Sequence, residues 1–293
     1  MADFISRISV VCFAASYLVA LACEASRLLF RSGVRGAVMV GFAAAGLLAH
    51  TLFLGWRAAH EPAVPLSSPY DWYLLAAWLL AAASLWLTVS NPRTPVGLFV
   101  LPLVLGLIGA AELSSRVPFP RSPATQVWGA IHGGFNLAAS VAVASGAIAG
   151  LMWLIQAARL ARKRAPARGF RMPSLERLAF FTGRSARVAA WTAAAGFASG
   201  MVLNAVNTRQ GLLDTVPWTD PVVLRLGLLV AWLAAAAIVG RAVACRPHGP
   251  RTTALLSLVS LAVLATSILW GVLGESRHGP PAAATARAPE AAP

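Results

Sequence analysis

Residues 252–273 read TTALLSLVSLAVLATSILWGVL, twenty-two consecutive positions without a charge. A helix rises about 1.5 Å per residue, so a run of this length covers the roughly 30 Å of a bilayer's hydrocarbon core. Comparable runs occupy 5–26, 35–56, 70–90, 96–112, 127–157, 186–206 and 221–244. The breaks between them are polar or rich in proline, as at 31–33, 62–69, 91–95, 118–123 and 245–250. The chain as a whole is 58% hydrophobic and 12% charged, with a mean hydropathy of +0.70. A water-soluble domain needs far more polar surface than that. The strands of a membrane β-barrel would alternate over about ten residues, and these runs are longer and continuous. The pattern predicts an all-α, polytopic membrane protein of about eight transmembrane helices.

The formal charge of +14 does not imply nucleic acid, because the positive residues lie mostly between the apolar runs. The longest such segment holds Arg159, Arg162, Lys163, Arg164, Arg168, Arg171, Arg177, Arg184 and Arg187. The positive-inside rule puts that segment in the cytoplasm of a cell whose inner (plasma) membrane the chain crosses repeatedly. Counting crossings outward, the breaks near Arg31, Arg93 and Arg246 also face in, and both termini face out. Arg7, an apolar stretch and Ala20-Leu21-Ala22 also resemble a cleavable signal peptide. Cleavage would force the basic segment outside, so the first run is read as a helix that stays. Residues 1–275 then form the membrane domain, and the Ala/Pro-rich residues 276–293 an extracytoplasmic, disordered tail. A short helix on the inner membrane surface is expected over 173–181, where a proline precedes mixed apolar and charged residues.

No phosphate-binding glycine loop, Cys/His metal cluster or Ser/His/Asp arrangement stands out, so the chain is not read as an enzyme. Cys12, Cys23 and Cys245 form no Cys-x-x-Cys, which excludes a thioredoxin-like dithiol and a covalent haem attachment site. Glu24 lies well inside a run with Arg27 three residues on, a pairing expected at the inner end of the first helix.

The histidines carry more information, since a polar group inside a bilayer is costly. His50, His132 and His278 all fall at or just beneath the outer face, whereas His60 and His248 lie in loops. Imidazole is the usual axial ligand of haem iron, and two helices can hold the ring between a pair. Gly129, Gly133 and Gly134 around His132 permit close approach, and Asn136 shares its helical face. The competing reading is that each imidazole hydrogen-bonds a neighbouring carbonyl. Trp56, Trp72, Trp128, Trp218 and Trp270 lie towards the outer boundary, against Trp86, Trp153 and Trp191 towards the inner. An interfacial aromatic belt and a platform for a porphyrin would both look like this. Arg225, one turn below Asp220, is the cation best placed for a haem propionate, with Arg121 and Arg209 in neighbouring outer loops.

Five landmarks follow one another along the chain: His50-Thr51-Leu52, Phe99-Val100-Leu101-Pro102-Leu103, Trp128 with His132, Leu154-Ile155-Gln156 and Pro173-Ser174-Leu175-Glu176-Arg177-Leu178. Their order resembles the cytochrome c assembly family of the CcsA/HemX type. The resemblance covers about residues 40 to 279. It implies non-covalent haem b, handled near the extracytoplasmic face for delivery to apocytochrome c, and a membrane partner with a large extracytoplasmic domain. HemX-type relatives are linked instead to the regulation of haem synthesis. The family's W-G-x-x-W-x-W-D-P segment survives as Trp218-Thr219-Asp220-Pro221. His132 and His278 match the histidines flanking that segment, which implies an axial pair on haem iron, and His50 matches an intramembrane histidine. The usual partner of that histidine is replaced by Gly240. By depth alone, His50 and His132 pair instead. Two other functions stay open: a regulatory or scaffold membrane protein that keeps the fold without haem, and a small-solute transporter.

Overall fold

The computed structural model describes residues 9–26, 33–60, 68–92, 94–117, 123–163, 172–211, 216–217 and 219–273. These contain eight α-helices and no strand: α1 (Val10–Ser26), α2 (Gly33–His60), α3 (Pro69–Ser90), α4 (Gly97–Leu113), α5 (Pro123–Ala161), α6 (Leu175–Arg209), α7 (Pro221–Val243) and α8 (Gly249–Leu273). Local chemistry sets several starts. Ser68, Ser174 and Asp220 are the N-caps of α3, α6 and α7, each accepting from a backbone N–H of the first turn. Pro69 and Pro221 follow two of these caps, where a missing N–H costs nothing.

Six helices are long and apolar enough to cross a membrane, namely α2, α3, α5, α6, α7 and α8. The other two, α1 and α4, are apolar but only 17 residues long. The large apolar side chains point outward: Trp191 is 77% exposed, Leu228 69%, and Trp86 and Ile238 68%. Polar and charged groups are held inside, among them Glu24, His50, Asp71 and Asp220. That is the reverse of a water-soluble fold, and lipid is the solvent it suits. The chain is a multi-pass membrane protein.

The helices pack as two four-membered rings. In the first, α1, α2, α3 and α4 each touch the next and α4 returns to α1; in the second, α5, α6, α7 and α8 close in the same order. The rings meet where α3 and α4 lie against α5, and α4 against α8. The first core is aromatic and aliphatic, built on Phe13, Tyr17, Tyr70, Leu74 and Val104. The second is made largely of alanine, with Ala139, Ala142, Ala189 and Ala193 facing Leu229 and Leu233. Small residues let backbones approach closely, which is how helices gain contact energy when lipid competes for their apolar surface.

One expected element is corrected. Residues 173–181 are not a separate surface helix but the first turns of α6, which continues unbroken to Arg209. Gly183 is the sole helix-weakening residue in the junction, and a lone glycine costs only about 1 kcal/mol in a helix interior. Ser174 caps the whole 35-residue element.

Candidate functional site

The imidazole of His50 is wholly buried in the first ring. Phe13 of α1 stacks on it at 4.1 Å between centroids and 4° between planes. The Tyr17 hydroxyl, one turn further along α1, lies 3.4 Å from Nδ1. Gly46 makes this possible, since a Cβ there would stand 3.0 Å from the Tyr17 ring. The Tyr17 hydroxyl can donate or accept here; in the tautomer in which Nδ1–H donates to it, Nε2 carries the lone pair, and in either tautomer Nε2 has no hydrogen-bond partner. A buried polar atom left unsatisfied costs about 1–3 kcal/mol, so its persistence marks a functional candidate.

Two turns beyond His50 on the same face of α2, about 10 Å away, Arg57 anchors a charged network. Its Nε donates to Asp71 Oδ1 of α3 at 2.9 Å, and Ser68 Oγ donates to Oδ2 at 2.9 Å. The Tyr70 ring lies beneath two guanidinium groups, Arg57 at 4.9 Å and Arg116 at 4.6 Å. Its hydroxyl donates to Glu112 of α4, which Arg116 also binds at 2.7 Å. The network ties α2, α3 and α4 together at one end of the ring. Towards the other end of α1, Glu24 is buried against Gly97 of α4. Arg27, its expected partner, lies outside the described residues.

His132 of α5 is differently placed. Its Nδ1–H donates to the Gly196 carbonyl of α6 at 2.8 Å, and the Asn136 amide nitrogen sits 3.1 Å from Nε2. Both ring nitrogens are therefore engaged. The shared face of His132 and Asn136, legible from their spacing of four, is real and is turned onto α6. There Gly196 and Gly200 leave the space: a Cβ at 196 would stand 3.0 Å from Asn136 Oδ1, and one at 200 would stand 2.8 Å from His132 Cε1. This Gly-x-x-x-Gly spacing, a recognised mark of close helix contact, was readable in the sequence. Gly133, the next residue, is covered by the Trp72 indole of α3.

His50 and His132 thus belong to different rings. Their helices, α2 and α5, do not pack together; α3 touches both, through Asp71 on one side and Trp72 on the other. Gly240 of α7 lies against Thr253 of α8, where a Cβ would meet Cγ2 at 3.4 Å, an ordinary packing contact. Asp220 is buried and holds the backbone N–H of Val222 at 2.8 Å. Arg225 donates through Nε to the Pro221 carbonyl at 2.8 Å, while its Nη1 has no partner. On the adjacent end of α6, Asn204 pairs with both backbone polar groups of Val216, and Asn207 leaves its buried Oδ1 unpaired. Trp218 and His278 lie outside the described residues. His60, expected in a loop, is instead the last residue of α2, where it stacks on Trp56 one turn back at 3.6 Å; it and His248, which does lie in a turn, are both exposed.

An all-helical, multi-pass membrane protein with one unsatisfied imidazole nitrogen at the heart of its first ring is the class these features define. No family model, no curated protein and no solved structure matches the chain.

Proposed function

We propose that the chain crosses its membrane eight times, with both termini outside the cytoplasm, and handles haem near the extracytoplasmic face. His50 is the axial donor of this reading. The observation that carries it is the state of the two ring nitrogens: one is held by Tyr17, the other is buried with nothing to bind. When Nδ1–H donates to the Tyr17 hydroxyl, the tautomer leaves Nε2 free for a metal, the arrangement metal-binding histidines adopt. Bound there, haem iron would accept the imidazole nitrogen and provide a redox-active centre. The chain's own residues supply the rest. Phe13 stacks on one face of the imidazole and holds its plane, leaving the in-plane Nε2 as the coordinating atom. Tyr17 orients the ring, and Arg225, with a free Nη1 at the start of α7, is the cation available to a propionate. Delivery to apocytochrome c, with a partner membrane protein, follows from the family resemblance.

The regulatory or scaffold reading has one observation in its favour. His132, which the resemblance pairs with His278, spends both nitrogens on α6 and on Asn136. The absorption spectrum of the full-length protein, purified in detergent from haem-replete cells, tests both readings. A Soret band that is lost in H50A and kept in H132A is the expected result. A band lost only in H132A moves the ligand to the second ring. A protein free of haem overturns the haem reading and leaves the scaffold and the small-solute transporter.

A further inference from the structure

We infer that the cytoplasmic-end face of α6 carries a built site for one anionic phospholipid. The face is an open groove of about 540 Å³ lined, among the described residues, by Phe180, Arg184, Arg187, Val188, Trp191 and Thr192. Their spacing of three, four and eight residues places them along one side of a single helix. The surface of the groove is almost wholly apolar, its two arginines included, so it is their stems that line it and their charged heads are left for its rim. Phe180 and Trp191 are more than half exposed, so neither belongs to the protein core.

The arginines are the informative part. Among the described residues the ion pairs are Arg57–Asp71 and Arg116–Glu112, and Arg184 and Arg187 take part in neither. Among the described residues no hydrogen bond or ring contact holds them either. A guanidinium seeks a planar or tetrahedral oxyanion, and two of them one turn apart can share a phosphate. Trp191 follows Arg187 by one further turn, about 6 Å, which is the step from headgroup level to the aromatic belt. Beyond it α6 runs on apolar residues suited to acyl chains. Two cations a turn apart, an exposed indole one turn further along and an apolar trough alongside match a phosphodiester with its tails, and do not match a soluble anion. Basic pockets at the cytoplasmic ends of membrane helices take acidic headgroups in this way. The leaflet follows from the orientation proposed above; the site itself does not depend on it, nor on haem.

The test is native mass spectrometry of the full-length protein in a neutral detergent, with phosphatidylglycerol or phosphatidylcholine of matched acyl chains added. Phosphatidylglycerol should be retained about tenfold or more over phosphatidylcholine. The R184Q/R187Q variant should lose that preference, and R184K/R187K should keep most of it, which also shows that substitution here is compatible with folding. Equal retention of the two lipids by the parent protein overturns the proposal, as does a glutamine variant that still prefers phosphatidylglycerol. Displacement of the lipid by inorganic phosphate alone would make the site one for a free anion, and dimers that dissociate on the same substitutions would assign the face to a second copy. Either result also overturns it. Haem content read on the same samples should not change with these variants, which separates this proposal from the haem reading.

Discussion

Gly200 on α6 stands where any side chain would strike His132 on α5: a Cβ there would fall 2.8 Å from Cε1 and 3.0 Å from Nδ1. The imidazole cannot yield easily, because its Nδ1 is held by Gly196 and its Nε2 faces Asn136. Overpacking a well-filled contact costs about 1–3 kcal/mol. Gly200→Ala should therefore lower the thermal unfolding midpoint in detergent, and Gly200→Leu should lower it further. In an H132A background the same Gly200→Ala change should be close to neutral, since the obstructing ring is gone. A double-mutant cycle read by tryptophan fluorescence measures this coupling. Additive effects would mean that the contact does not set the α5–α6 distance.

The Arg57–Asp71 pair joins α2 to α3, and its side chains are only 18% and 10% exposed. Removing one partner of a largely buried pair leaves the other charge without compensation, so the loss exceeds what the intact pair contributes. Arg57→Met should destabilise by about 2 kcal/mol or more. Arg57→Met with Asp71→Leu should recover much of that loss, because apolar replacement of both partners is often neutral. Midpoints of denaturant unfolding for the three proteins give the comparison. A double variant less stable than the single one would show that Asp71 matters chiefly for capping α3 with Ser68.

Which parts of this were legible in the sequence follows from what a one-dimensional pattern contains. The runs at 70–90, 96–112 and 221–244 match α3, α4 and α7 within one residue at each end, because hydropathy changes abruptly at their caps and prolines. The long α6 was misread, because Arg184 and Arg187 interrupt the hydropathy without interrupting the helix. His50 and His132 look alike as sequence, each a lone imidazole in an apolar run. Their difference lies in partners 33 and 64 residues away, Tyr17 on α1 and the Gly196 carbonyl on α6. No local pattern contains those distances. The Asn136 contact, four residues along the same helix, is the one polar partner that helical period could supply.

The number of crossings is set by the two short helices. At 17 residues, α1 and α4 are about 25 Å long, short of the roughly 30 Å hydrocarbon core unless flanking residues or local thinning make up the difference. The two pack against each other, and each also against its partner in the ring, α1 on α2 and α4 on α3, which suits a full crossing. Side-specific thiol labelling in a background without Cys12, Cys23 and Cys245 separates the alternatives. Asn91, before α4, and Ser174, before α6, are both exposed. Two crossings, α4 and α5, lie between them in the eight-helix arrangement, so N91C and S174C should react from the same side of the membrane. If α4 only dips in, one crossing remains and they react from opposite sides. For α1 the pair is Ser9, also exposed, and Asn91. Three crossings put them on opposite sides; a non-crossing α1 puts them on the same side. With α4 dipping in, the basic residues before α6 would share a side with the α2–α3 connection, against the charge rule. The expected result is that S174C and N91C are labelled only once the cytoplasmic face is opened, and S9C in intact cells.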